Sequence, residues 1–471
     1  MNSTSKEIGL DSLVSVDIRS WFLKKLNVNI PVLKIMSIDL MSGLVDYAVE
    51  NLARDLVPLL PSSDSADSGG SGATSPTIGS SNILTPHIST GATTPVRMPE
   101  HGDDKQEIST SDSRKIKTGE VDWAAETTPP ADFADIKSDA SPTPVNPPNV
   151  IVLTGVSGLL GHNLLDYLLE HTTAQKIICI AVRNLSARRK RGEIKQDDRV
   201  TYYEGDLTQP TLGLLPEQAA QIFSEADVVV HNGADTSHLK FYRDLKVANV
   251  GSTQTLIRWC LPRKIPFHYI SSAGVAVLYN QSTFPPVRVT GSNSMLPAAD
   301  GTFGYMCSKW VNEKCLERVH ESHGLPVTIH RPSTIMRHGD DATNARAELD
   351  WVNALLSYSR KVKAVPDIKY NRGSLDLVSM ETCCSDILRA IMDDSERARD
   401  DVTYVHEVGD LVIPMNDMHK LAEEDHAEFD IVPLAEWIEV AVEAGLHPAI
   451  GALIEMMDAP GAPDYPRLLK A

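Results

Sequence analysis

The sequence predicts an α/β protein built on a doubly wound parallel sheet. Three observations carry that prediction. Short apolar runs recur from residue 149 onward, helical stretches alternate with them, and a glycine-rich turn joins the first run to the first helix. The chain has 471 residues, 42% of them hydrophobic, which is enough for a sizeable core.

Residues 8–60 are periodic and mostly helical. From Ser12 to Lys25, Leu13, Val16, Ile18, Phe22 and Leu23 fall on one broad face, and Leu40 to Leu56 makes a second amphipathic stretch. Residues 61–148 change character. They are rich in Ser, Thr, Gly, Pro and Asp, and bury too little apolar surface to offset their conformational entropy, which predicts a disordered, flexible linker. Within it, Gly119 to Glu126 contains Val121-Asp122-Trp123, and a tryptophan in such a tract predicts a short docking segment.

The sheet begins with Val150-Ile151-Val152-Leu153, an apolar run expected of a strand covered on both faces. Ile177 to Val182, Val200 to Glu204, Ala226 to His231, Phe267 to Ser271 and Val327 to His330 supply five more strands. Leu159 to Glu170, Leu245 to Cys260 and Tyr305 to His323 supply helices between them. These place a nucleotide-binding domain at 149–335. Beyond it the alternation weakens. Residues 336–471 are expected to form a smaller, mostly helical substrate-binding region over the carboxyl ends of the strands.

A formal net charge of −19 repels a phosphate backbone and argues against nucleic acid. The local cluster Arg188-Arg189-Lys190-Arg191 is either a solvated loop or a contact for a cofactor phosphate. No apolar run reaches the length of a membrane span and no signal pattern opens the chain, so no membrane partner is expected. Six cysteines without a C-x-x-C pair point to reduced thiols in a cytoplasmic protein and to no metal site.

In the turn from Gly155 through Ser157, Gly158, Leu159 and Leu160 to Gly161, each glycine has a task. Gly155 permits the tight bend, Gly158 lets backbone approach a pyrophosphate, and Gly161 lets helix pack on strand. The helix that follows offers free N–H groups to an anion. Where an NAD site places an acidic residue, after the second strand, this chain has Arg183. A guanidinium there suits a 2′-phosphate and predicts NADPH. Asp206, with Leu207 after it, either reaches the adenine or caps a turn, and Asn232-Gly233-Ala234 should line the cofactor groove.

Tyr305 and Lys309 lie four residues apart on a predicted helix and share a face. An ammonium beside a phenol favours phenolate, and a phenol can protonate an oxyanion created by hydride attack. Ser272, or its neighbour Ser271, could bond the same oxygen.

Over residues 149–410 these motifs, in this order, resemble the extended short-chain dehydrogenase/reductase superfamily, whose fold is Rossmann-like. Arg331-Pro332 resembles a segment bordering the substrate there. His231 to His238, Asn249 in Ala248-Asn249-Val250-Gly251, and Val121-Asp122-Trp123 resemble the thioester reductase domains that end some polyketide synthases, peptide synthetases and carboxylic acid reductases. That resemblance implies NADPH-dependent release of a carrier-bound thioester as an aldehyde or alcohol. Ser272 and Tyr305 would stabilise the oxyanion, Lys309 would also hold the nicotinamide ribose, and Asn249 would belong to the cofactor site. His238 and Lys240 would contact the substrate arm or simply lie on the surface. Some related terminal domains perform a redox-neutral Dieckmann cyclisation, and a non-catalytic remnant is a third reading.

Gly9-Leu10-Asp11-Ser12-Leu13, continuing to Phe22, resembles the carrier segment of fungal highly reducing polyketide synthases. The resemblance makes Ser12 the attachment point of 4′-phosphopantetheine and residues 1–60 an all-α carrier fragment. Eleven residues precede Ser12, too few for the family's first helix, so the expectation is a truncated carrier and a working arm on a partner acyl carrier domain of another chain.

Overall fold

The computed structural model describes residues 120–137 and 147–470, except 239, 280, 290–294, 337–349, 394–400, 410, 461 and 463, together with single positions between 18 and 49. Ser12, most of the expected carrier fragment and most of the expected linker lie outside the described residues.

Seven parallel strands form the main sheet: β1 Val150–Thr154, β2 Lys176–Val182, β3 Val200–Glu204, β4 Val228–His231, β5 Phe267–Ile270, β6 Val327–His330 and β7 Thr403–Val405. Their spatial order is β7-β6-β5-β4-β1-β2-β3, so chain direction across the sheet reverses between β1 and β4. Residues alternate between two cores. Val152 and Tyr269 join Leu256 and Leu316 on one face, while Ile151, Leu153 and Ile270 join Leu164 and Ile387 on the other. Helices α1 Leu159–His171, α2 Pro216–Glu225, α3 Tyr242 to Cys260 and α4 Gly304–His323 cover the sheet. Inside α3 the stretch Val247–Gly251 is a π turn, a feature common near functional sites.

The first six strands match the sequence prediction within two residues. The seventh does not, because Thr403–Val405 is too short to give a periodic signal. It comes from beyond residue 336, as does helix Met380–Met392, which packs against α1. The main sheet and its cover therefore draw on both sides of the expected boundary. Helices predominate in the remainder, as predicted. Short strands accompany them, including Ser374–Val378 between Thr334–Ile335 and Leu411–Pro414, around a core holding Leu355, Trp437 and Leu453.

Residues 120–137 dock on the sheet unit through two aromatic anchors, Trp123 and Phe133, both buried. Burying each contributes about 1.5–3 kcal/mol. Asp122 caps the first turn by accepting from Ala124 and Ala125 N–H, both at 3.1 Å. All six cysteines are free and buried.

An ionic network lies under the carboxyl ends of β5 and β6. Glu313 accepts from Ser271 Oγ at 2.6 Å and from Arg331 Nε and Nη2 at 3.1 and 2.8 Å. Arg331 also donates to Val287 O at 2.8 Å and lies between the Phe284 and Tyr404 rings. Its side chain is fully buried, so the guanidinium serves this network. Breaking such a pair leaves an uncompensated buried charge. Glu313→Ala should lower unfolding free energy by about 3–5 kcal/mol. Asp132→Ala, which breaks an exposed pair with Arg258, should cost less than about 1 kcal/mol; urea-denaturation midpoints compare the two.

Candidate active site

The glycine turn sits where chain direction reverses, between β1 and β4, the place such sheets bind ligands. Gly155 has φ +74°, and a Cβ there would lie 2.6 Å from Gly233 N. A Cβ on Gly161 would lie 2.2 Å from Gly155 O. Both glycines are demanded by backbone packing. Gly158 differs, since its Cβ would meet only Gly155 O, at 3.3 Å. It caps α1 without a side-chain bond, so first-turn N–H groups keep no intrahelical partner and suit a phosphate.

The same crevice is held from below by His231. Its Nδ1 is 2.7 Å from Thr154 Oγ1 and its Nε2 3.1 Å from Thr253 Oγ1. Burial, then the charge of Lys309, pushes its pKa down to about 3, so it is a neutral link between β1, β4 and α3. Thr154 Oγ1 accepts from Gly233 N at 2.9 Å, and Asn232 Nδ2 donates to Gly155 O at 3.3 Å. Leu207 borders Gly233, its methyl 3.2 Å from where a Cβ would stand.

Near the end of β2, Ala181 takes a left-handed φ of 55° at a break in register with β3. The Arg183 side chain that follows is 69% exposed, its Nε 3.6 Å from Asp206. Arg188 is buried instead, donating to Arg183 O at 3.0 Å and to Glu193 at 2.8 Å. It shapes the loop that presents Arg183. Asp206 accepts from Thr208 N and Oγ1 at 2.8 and 2.6 Å. Burial raises its pKa, but the Thr208 bonds and Arg183 outweigh that and leave it lowered.

Tyr305, Lys309 and Ser272 converge at the start of α4. Ser272 lies close enough to the Tyr305 hydroxyl to pull its pKa down, and its Oγ accepts from Gly274 N at 3.0 Å. Ser271 is committed to Glu313, which decides between the two serines. Lys309 is buried, donates to Ile270 O at 2.6 Å, and has its Nζ 5.6 Å from the Tyr305 ring centroid. Burial lowers its pKa to about 7 against a smaller opposing effect of Glu313. The sequence reading expects Lys309 to depress the phenol. In the structure burial dominates and pushes Tyr305 up, with Ser272 pulling the other way and Asp350 adding to the rise. The phenol is held protonated. Asp350, which the sequence reading did not name, caps the helix Trp351–Val362 and brings its charge to this site.

Asn249 lies in the π turn of α3. Its Nδ2 donates to Asp235 O at 3.0 Å and Ser308 Oγ at 2.9 Å, and its Oδ1 accepts from Asp235 N at 2.7 Å. With both amide donors engaged, it ties the Asp235 segment to α4 rather than presenting them to a cofactor. His238 rests edge-on against the Tyr305 ring, centroids 5.3 Å apart. Lys240 points away into an ion pair with Asp235 at 2.8 Å. Among the described residues no group of His, Cys, Asp and Glu could hold a metal ion, and no helix is long and apolar enough to cross a membrane.

Fold and site together define an oxidoreductase with a nicotinamide-nucleotide-binding Rossmann domain. Residues 153–387 match the family described as Male sterility protein, an NAD-binding family. The chain is 47% identical over 473 residues to the highly reducing polyketide synthase bet1 of Neocamarosporium betae. That alignment covers 99% of this chain and 16% of the synthase, so the chain spans under a sixth of its relative's length. It is 40% identical over 326 residues to the polyketide synthase-nonribosomal peptide synthetase ffsA of Aspergillus flavipes, covering 69% of this chain and 8% of that protein. The terminal R domain from the myxalamid PKS-NRPS pathway superposes with a TM-score of 0.58 at 24% identity, over 72% of this chain and 87% of that one, a likeness of fold. Along most of its length the chain is similar to a segment of fungal polyketide synthases and polyketide–peptide hybrids, and its residues 153–387 match an NAD-binding family.

The glycine geometry separates fold from binding. Gly161→Ala should lower the melting temperature by several degrees, because backbone must move. Gly158→Ala should melt normally yet weaken binding of the nicotinamide nucleotide about tenfold or more; thermal melts beside fluorescence titrations measure both.

Proposed function

We propose that this chain is an NADPH-dependent thioester reductase that releases a polyketide or polyketide–peptide chain from an acyl carrier domain as an aldehyde, or as an alcohol after a second reduction. The observation that carries the reading is the convergence of a protonated Tyr305, its partner Ser272 and a buried Lys309 beside a phosphate-ready glycine turn. The residues present fit the cofactor. Gly158 leaves backbone open to a pyrophosphate, and Arg183 offers an exposed guanidinium for the 2′-phosphate. When bound, NADPH supplies the hydride that reduces the thioester carbonyl.

The chain's own residues do the rest. Ser272 and Tyr305 donate hydrogen bonds to the carbonyl oxygen as negative charge grows on it. Tyr305 delivers its proton to that oxygen, and Lys309, below the ring, favours the phenolate left behind once it is charged. Taking the proton back from the hydroxyl lets the thiohemiacetal collapse: the carbonyl reforms, the C–S bond breaks, and the carrier sulfur leaves as a thiolate that takes a proton from solvent. The 4′-phosphopantetheine arm that brings the thioester belongs to a carrier domain, and Ser12 lies outside the described residues.

The decisive experiment incubates the chain with NADPH and acyl thioesters of pantetheine, following absorbance at the nicotinamide band and identifying products by mass. Product release without NADPH consumption would indicate redox-neutral cyclisation instead. Tyr305→Phe removes the proton but keeps the ring. It should leave NADPH affinity within about twofold and reduce turnover by 10²-fold or more; undiminished turnover would sink the assignment. Arg183→Ala should weaken NADPH at least tenfold and NADH little, and an equal loss for both would remove Arg183 from the phosphate role.

A further inference from the structure

We propose that residues 120–137 form a positioning strap for α4, with Trp123 and Glu126 determining where Tyr305 sits. The inference rests on the proposed reaction only for its activity readout. The strap has two halves. In the second, Phe133 is buried and Asp132 pairs with Arg258 on α3, anchoring the segment far along the helices. In the first, Val121 N donates to Ala299 O at 2.7 Å, so the segment follows the loop that launches α4.

Trp123 is wedged edge-on between Tyr242 and Trp310, with centroids at 5.0 and 6.0 Å. Trp310 adjoins Lys309 in the chain. Tyr242 opens α3, and its hydroxyl donates to Glu126 Oε2 at 2.5 Å, while Lys246 donates to Oε1 at 2.7 Å. Tyr242 N in turn donates to Gly301 O at 2.9 Å, and Gly304 N to Lys240 O at 3.1 Å. A Cβ on Gly304 would lie 2.3 Å from Phe241 C, so the starts of α3 and α4 are in backbone contact one residue before Tyr305. Anchorage alone would need only the Phe133 half. The Trp123–Glu126 half reaches both sides of the Tyr305–Lys309 turn.

The test uses the full chain. Trp123→Ala should raise amide hydrogen exchange at residues 303–309 about tenfold and lower turnover per NADPH-binding site about tenfold, with NADPH affinity within twofold. Trp123→Phe should restore most of both, and Asp132→Ala should change neither by more than twofold. If Trp123→Ala does not fold, Glu126→Gln carries the same test with an expected change of about threefold. Wild-type exchange and wild-type turnover per site in these variants would overturn the proposal. If the unaltered chain reduces no thioester, the proposed reaction fails, and the exchange measurement still decides the strap.

Discussion

The backbone of Gly155 against that of Gly233 is the contact on which the site depends. A Cβ on Gly155 would stand 2.6 Å from Gly233 N, inside any permitted distance. The loops after β1 and β4 therefore meet at backbone separation, and the crevice at the reversal of strand order opens above them. His231 fixes the contact from beneath by bridging Thr154 and Thr253. As a neutral imidazole it joins two hydroxyls without bringing a charge into the sheet. Asn232 closes the turn by donating to Gly155 O. Displacing any of these would move the α1 N-terminus, and with it the groups offered to a phosphate.

A second constraint lies on the α4 side. Asn249 reaches from the π turn of α3 to Ser308, while holding Asp235 by both its N–H and its carbonyl. Ser308 donates to Tyr305 O. The segment after β4, the π turn and α4 are thus one hydrogen-bonded body. The neighbouring network of Ser271, Glu313 and Arg331 is wholly buried, so it fixes the end of β5 and leaves Ser272, one residue on, to face Tyr305.

Much of this was legible in the sequence because it is periodic or local. Apolar runs marked six strands, and Gly155, Gly158 and Gly161 announced their turn by spacing. Tyr305 and Lys309 share a face by helical geometry alone. What stayed hidden depends on distant partners. Nothing around Arg331 says that Glu313 will bury it, and the choice between Ser271 and Ser272 turns on that same carboxylate. Asp350 reaches the site through a helix cap 45 positions after Tyr305. Thr403–Val405 is recognisable as a strand only beside β6. Trp123 stands out in polar sequence, but its neighbours Tyr242 and Trp310 are more than a hundred residues away.

Burial also decides which chemistry the site favours. It disfavours charge on both central groups, raising the phenol of Tyr305 and lowering the ammonium of Lys309 to about 7. A site built to abstract a proton from carbon needs a base already deprotonated at neutral pH, and a phenol raised by burial is a poor one. A site built to receive hydride needs the opposite, a proton available at the moment negative charge reaches the carbonyl oxygen. Tyr305 meets that need. In the proposed reaction its proton would be retained until an oxyanion forms beside it, with Ser272 as a second donor and Lys309 as the charge nearest the phenolate left behind. The protonation pattern is therefore the one that the proposed reduction requires, and it suits a redox-neutral cyclisation less well.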